Sequence, residues 1–246
     1  MRNCRANGYL LHLLIIAALL AILGPNGADA APGRSRVGLV LGGGGARGIA
    51  HVGVLQLLEE LRVPVDCVAG ASMGSIIGGL YAAGMTPEQM AETVQRIDWP
   101  AAFTDGPPRA DLPFRIKEQQ RVLLTDKGVG IKNSSVQLPQ GLLQGQNLLL
   151  LLEELSLPAA NVHDFDKLKV PYRAVATDLA TGMPVVLKAG ELAKAMRASM
   201  SIPSALAPVK LDGKLLVDGG VSNNVPVDVA RELCHAVDVG APLAPI

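Results

Sequence analysis

The chain has 246 residues, 49% of them hydrophobic, with 22 basic and 22 acidic side chains. That is enough apolar material for one sizeable core, and one domain is the default. A net charge of zero argues against a nucleic-acid partner held by a basic surface, and three cysteines are too few for a disulfide framework.

Residues 1–30 read as a secretory signal peptide. Arg2 and Arg5 make a positive start, residues 9–23 are apolar except for His12, and Ala28-Asp29-Ala30 supplies an A-x-A cleavage pattern. The apolar run is about 15 residues, short of the ~20 that a membrane span needs. Export to a bacterial periplasm, outer envelope or medium is the expectation. Residues 31–36, with Pro32 and Gly33, form a linker, and a single domain is expected over 37–246.

Residues 37–41 are short, apolar and β-branched, the pattern of a buried strand, and residues 49–61 carry helical periodicity through Val52, Leu55 and Leu58. Between them lies Gly42-Gly43-Gly44-Gly45-Ala46-Arg47-Gly48. Without Cβ atoms, successive backbone amides can converge on one spot beside a helix N-terminus and hold an anion. The anion is either a phosphate or the oxyanion of a tetrahedral intermediate. Gly43, Gly45 and Gly48 fit the dinucleotide fingerprint, but that motif wants an acid at the far end of the second strand. There the chain has Gly70-Ala71-Ser72 instead, and the only acid, Asp66, lies near the strand's beginning. No Lys-Ser/Thr follows the glycines, so the P-loop reading fails as well. Arg47 either supports the loop or meets an anionic head group, and both readings stand.

Gly70-Ala71-Ser72-Met73-Gly74 is a Gly-x-Ser-x-Gly nucleophile elbow. Residues 63–68 before it suit a buried strand, and residues 75–83 after it suit a packed helix. The turn between them pushes the Ser72 hydroxyl out above the sheet, and Gly70 and Gly74 flank it where a side chain would collide. Cys67 reads as a small buried residue. Pairing with Cys234 needs an oxidising compartment, and the sequence leaves it open.

Thr86-Pro87-Glu88-Gln89 predicts a helix start with a capping box. Residues 97–140 look irregular, either covering the site or, through Trp99, Phe103, Phe114 and nearby cations, meeting lipid. Residues 147–155 suit a core helix. Residues 170–176 suit a strand, and the turn from Thr177 to Gly182 leads into a hairpin with 184–187. Asp178 in that turn is expected to bond its own backbone.

Residues 191–200 suit a helix and 215–217 a strand, and Asp218-Gly219-Gly220 follows at the strand's end. A serine needs a base to become a nucleophile. His51, His163 and His235 are the histidines beyond the leader, and none sits in a loop of recognisable catalytic type. Asp218 emerges on the edge where Ser72 emerges, so a direct Ser–Asp dyad is favoured.

With these residues in view, the chain resembles the patatin-like phospholipase family. The resemblance rests on the glycine loop 42–48, the elbow 70–74 and Asp218-Gly219-Gly220, in the family's order and spacing. Residues 176–182, 197–203 and 221–226 look like further family segments. The resemblance implies a three-layer α/β fold, a mostly parallel sheet between helices. It implies a Ser72–Asp218 dyad, an oxyanion hole around the amides of Gly43, Gly44 and Gly45, and no metal or other cofactor. The implied substrate is a phospholipid or other acyl-ester lipid, reached by transient contact with a membrane surface and cleaved through an acyl-enzyme on Ser72. The alternative is an inactive member that keeps the fold to bind lipid or a partner. Its support is the segment 231–240, which looks shortened against the family pattern, as in a truncated chain. The sequence does not set the oligomeric state.

Overall fold

In the computed structural model the described residues are 36–106, 109–122, 130–132, 135–137 and 143–234. The expected signal peptide, all of the linker but Arg36, and His235 lie outside them. The main sheet is built from β1 (Gly38–Leu41), β2 (Cys67–Ala71), β5 (Tyr172–Asp178), β6 (Pro184–Leu187), β7 (Val209–Leu211) and β8 (Lys214–Asp218). A separate two-stranded hairpin pairs β3 (Gly130–Lys132) with β4 (Ser135–Gln137). β1, β2 and β5 are parallel neighbours, β6 and β8 run antiparallel to β5, and β7 runs antiparallel to β8. The sheet is therefore mixed, with β1, β2, β5 and β7 pointing one way.

Helices cover both faces, as expected for a three-layer α/β fold. On one face α8 (Val227–Cys234) lays Val229 and Ala230 on Ala69, Ala71 and Val175. These are mostly small side chains, so this layer sits close to the sheet. On the other face α2 (Met73–Ala83), α6 (Gln146–Leu155) and α7 (Leu192–Ser199) bury Ile76, Ile77, Leu80, Leu148, Leu152 and Met196 with Val68, Ala174 and Ala176. The alternation of Val68, Gly70 and Ala69, Ala71 between the faces is the period-two rule of a strand. Because both faces are covered, β2 is buried along its whole length and shows no polar alternation. Tyr172 Oη donates to the Ser75 carbonyl at 2.7 Å, tying β5 to α2 from inside the core.

β2 begins four residues later than the apolar run 63–68 suggested. Pro64 cannot donate to a ladder, and at Asp66 the backbone amide donates to the Val37 carbonyl at 2.8 Å but the return bond from the Val37 amide goes to the Asp66 carboxylate at 2.7 Å. The strand instead includes the Gly-Ala of the elbow. The helix expected over 49–61 is split into a 3₁₀ turn, Gly45–Ile49, followed by α1 (Ala50–Glu60). α3 (Pro87–Arg96) has the capping box in full, with Thr86 and Gln89 exchanging bonds of 3.2 and 3.0 Å.

Within the stretch expected to be irregular, α4 (Trp99–Ala102) and α5 (Phe114–Val122) are helical. Trp99 and Phe103 stack with ring centroids 6.4 Å apart and pack against the core, whereas Phe114 is exposed. α5 was hidden because its few apolar residues give no periodic stripe.

Cys67, at the start of β2, and Cys234, at the end of α8, form a disulfide with Cα atoms 5.7 Å apart. Gly38 leaves it room: a methyl group there would stand 2.9 Å from Cys234 Sγ. Arg36 Nη1 donates to the Cys234 carbonyl at 3.2 Å.

Candidate active site

The site is made by a sharing of one strand edge. Ala174 and Val175 of β5 pair with both β2 and β6, while Ala176 and Thr177 pair with both β6 and β8. A residue has only two edges, so β2 and β8 lie end to end on the same edge of β5. They run towards each other. Ala71 faces Val175, and Asp218 faces Ala176, the next residue along. Ser72 leaves β2 where Asp218 ends β8, and the two meet across 146 residues of sequence. Ser72 Oγ donates to Asp218 Oδ2 at 2.5 Å, with both residues buried.

Ser72 has φ 52° and ψ −126°, a conformation that L-residues rarely adopt and that costs on the order of 1–3 kcal/mol. It persists only because its neighbours fix it. The Ser72 carbonyl accepts from Ser75 N–H at 2.9 Å and from Ser75 Oγ at 2.8 Å, and the Ser72 amide donates to Ser199 Oγ at 3.0 Å. The flanking glycines allow the close approach this turn needs. A methyl group at Gly70 would stand 2.8 Å from Ser75 Cα, and one at Gly74 2.6 Å from the Gly42 carbonyl oxygen. α2 starts at Met73, so Ser72 sits at the positive end of a helix.

The Asp218 carboxylate is oriented through its other oxygen, where Oδ1 accepts from the Gly220 amide at 2.7 Å. Its backbone is pinned on both sides: the Asp218 amide donates to Ser201, and the Asp218 carbonyl accepts from Thr177 Oγ1 at 2.8 Å. Burial pushes the Asp218 carboxyl above the ordinary carboxylate range, and the bonds from Ser72 and Gly220 pull it part of the way back. A carboxylate that is poorly solvated yet still ionised is a stronger proton acceptor than one in water. Gly219 packs against the Val175 carbonyl, where a side chain would overlap the backbone.

The glycine loop lies beside this pair. A methyl group at Gly43 would stand 2.8 Å from Ser72 Cβ. The Gly42 carbonyl accepts from His51 Nε2 at 2.8 Å, which requires the tautomer with the proton on that nitrogen. The Gly43 amide donates to Asn224 Oδ1 at 3.0 Å. Of the three amides expected to line an oxyanion hole, Gly43 is therefore engaged. Those of Gly44 and Gly45 donate to no partner among the described residues. Gly45 has φ 54°, and a methyl group there would meet nothing within 4 Å. Ala46 and Arg47 are exposed, and Gly48 is buried against Met73.

His51 thus braces the loop and does not bond Ser72. His163 is exposed, and its carbonyl accepts from Gly190. Asp178 closes its own turn, accepting from the Ala180 amide at 3.0 Å and Thr181 Oγ1 at 3.1 Å. Among the described residues, no group of three or more His, Cys, Asp or Glu is placed to hold a metal ion. Sequence reasoning did not single out Ser199 or Asn224. A hydroxyl at a helix end and an asparagine in a turn look ordinary until the elements that they join are known.

Residues 39–231 match the family model for patatin-like phospholipase. An uncharacterized NTE family protein of Mycobacterium tuberculosis is 35% identical over 192 residues, which cover 78% of this chain and 44% of that protein. Patatin-like phospholipase domain-containing protein 6 of Homo sapiens is 36% identical over 213 residues, 83% of this chain and 13% of that one. The chain therefore spans less than half of these relatives. Among solved structures, VipD from Legionella pneumophila aligns with 78% of this chain and 47% of its own, at a TM-score of 0.48 and 19% identity. The match to the family model extends from β1 through most of α8, takes in the elbow, the glycine loop and Asp218, and places the chain in the patatin-like phospholipase family.

Proposed function

We propose that this chain is a serine-dependent lipid acyl hydrolase of the phospholipase A, lysophospholipase or esterase type, working through a Ser72–Asp218 dyad. The observation that carries the reading is the 2.5 Å bond from Ser72 Oγ to Asp218 Oδ2, made by a strained elbow serine beside a glycine loop whose Gly44 and Gly45 amides have no partner among the described residues. Asp218 takes the Ser72 proton as Oγ attacks the ester carbonyl carbon. The amides of Gly44 and Gly45, together with the amino end of α2 that follows Ser72, stabilise the oxyanion. The tetrahedral adduct collapses, the carbon–oxygen bond to the leaving alcohol breaks, and Asp218 returns the proton to that oxygen. Water then gives its proton to Asp218 as it attacks the acyl carbon, the bond from that carbon to Ser72 Oγ breaks, Asp218 returns the proton to Oγ, and the fatty acid leaves with the Ser72–Asp218 bond restored. Covalent catalysis of this kind divides one difficult step into two easier ones.

The test is fatty-acid release from lysophospholipid, phospholipid and short-chain aryl esters. Wild type is expected to turn over at least one of these classes. Ser72→Ala should lose more than about 1,000-fold in rate, and Asp218→Asn should lose a similar amount. A folded Ser72→Ala protein as active as wild type would refute the reading.

We also propose export. The leader pattern of residues 1–30 motivates it, and the Cys67–Cys234 disulfide fits an oxidising compartment. Expression in a bacterial host followed by fractionation checks this, and a full-length product retained in the cytosol with free thiols would contradict it.

A further inference from the structure

We propose that Ser199 is a positioning residue for the nucleophile. Its hydroxyl fixes the Ser72 amide, and by doing so it withholds that amide from the oxyanion and leaves the hole to the glycine loop.

The two peptide groups of Ser72 are held unequally. On the carboxyl side the carbonyl accepts three donors from the first turn of α2: Ser75 N–H, Ser75 Oγ and, at 3.3 Å, Ile76 N–H. Losing any one leaves two. On the amino side, the Ser72 N–H has the Ser199 hydroxyl, at 3.0 Å. A buried amide without an acceptor is costly, and an elbow held from one side only is free to rotate about the strained φ of 52°. Ser199 cannot turn to another role. Its own proton goes to the Val175 carbonyl at 2.5 Å, and the residue is 0% exposed.

Val175 is the point on β5 where β2 ends and β8 takes over, since it pairs with Ala71 while Ala176 pairs with Asp218. One hydroxyl at the end of α7 therefore joins the nucleophile's backbone to the strand junction that presents the base. Rotating the elbow by a few tens of degrees would move Oγ relative to both Asp218 and the glycine amides. That loss would appear in the chemical step and not in binding of substrate.

The proposal rests on the hydrolase reading above. The variants are Ser199→Ala and Ser199→Cys, with Ser75→Ala as the control, because Ser75 is equally buried and its hydroxyl touches Ser72 redundantly. Each is assayed with a soluble short-chain ester and for the rate of fluorophosphonate labelling, and thermal unfolding checks the fold. Ser199→Ala is expected to lower kcat and the labelling rate by about 10- to 100-fold with KM unchanged within twofold. Ser199→Cys keeps the volume with a weaker hydrogen bond and is expected to fall between Ser199→Ala and wild type. Ser75→Ala should stay within about threefold of wild type and lose less thermal stability than Ser199→Ala, because it leaves the Ser72 carbonyl with two donors. If folded Ser199→Ala or Ser199→Cys labels at the wild-type rate, or if Ser75→Ala is as slow as Ser199→Ala, the positioning role is wrong. If wild type itself fails to label, the hydrolase reading has failed, and the role of Ser199 falls with it.

Discussion

The elbow and the glycine loop face each other across Ser72 and are built on opposite principles. Around the elbow nearly every polar group has a fixed partner, and the glycines are filled to contact: Gly74 sits against the carbonyls of Leu41 and Gly42, and Gly70 against the backbone of Gly74 and Ser75. In the loop, Gly44 is exposed and Gly45 has open space where a side chain would be. Rigidity on one side holds a strained nucleophile. Unused donors on the other are what a developing negative charge needs, because groups already oriented do not have to reorganise when charge appears. The two are not independent. His51 and Asn224 brace the loop at Gly42 and Gly43, the end nearest the elbow, and the next two amides have no partner among the described residues.

The sharpest way to break this contrast is to add the same methyl group on each side. Gly74→Ala drives a Cβ into backbone that cannot move, and it is expected to destabilise the fold by on the order of 3 kcal/mol or more, or to prevent folding. Gly45→Ala meets no atom and pays only for its positive φ, about 1 kcal/mol, so it should fold and show its effect mainly in rate. Chemical denaturation of the two variants checks this. A Gly74→Ala protein as stable as Gly45→Ala would mean that the elbow is not over-determined.

A smaller effect concerns pH. In the proposed mechanism Asp218 must be ionised to accept the Ser72 proton, and burial raises its carboxyl above the ordinary value of 3.8. The acid limb of kcat/KM is therefore expected above pH 3.8, with activity falling as pH drops through it. The stability consequence has the opposite sign. A carboxyl whose folded pKa is raised binds its proton more tightly when folded, so it favours folding at low pH. That contribution is lost as pH rises from 3.8 through the raised value. Asp218→Asn should remove this dependence of stability. An acid limb at or below 3.8 would place the carboxylate in a wetter site than the one described.

How far this was legible in the sequence depends on distance along the chain. The elbow and the glycine loop are local motifs whose residues act on their immediate neighbours, so the Gly-x-Ser-x-Gly turn and the glycine run beside it were legible as local structure, while the Asn224 bond that takes up the Gly43 amide was not. Asp218 was legible as the acid of an Asp-Gly-Gly turn at a strand end. That β2 and β8 meet head to head on one edge of β5 was not legible, because it depends on two long-range registers, Ala71 against Val175 in parallel and Asp218 against Ala176 antiparallel, that no local pattern displays. The start of β2 was misplaced because apolar character was taken for pairing, although Pro64 and Asp66 do other work. Ser199 and Asn224 escaped notice for the same reason as the register. Their partners, Ser72 and Gly43, are far away in sequence.

The central claim is that the Ser72 hydroxyl is activated by Asp218 alone. The most direct test is labelling of the purified domain with a fluorophosphonate, with the modified residue located by peptide mass spectrometry. The account predicts one adduct, on Ser72, absent from Ser72→Ala, strongly slowed in Asp218→Asn and unaffected in His51→Gln beyond about tenfold, since His51 only braces the loop. Labelling that survives at full rate in Asp218→Asn and disappears in His51→Gln would contradict it, and would make the histidine the base.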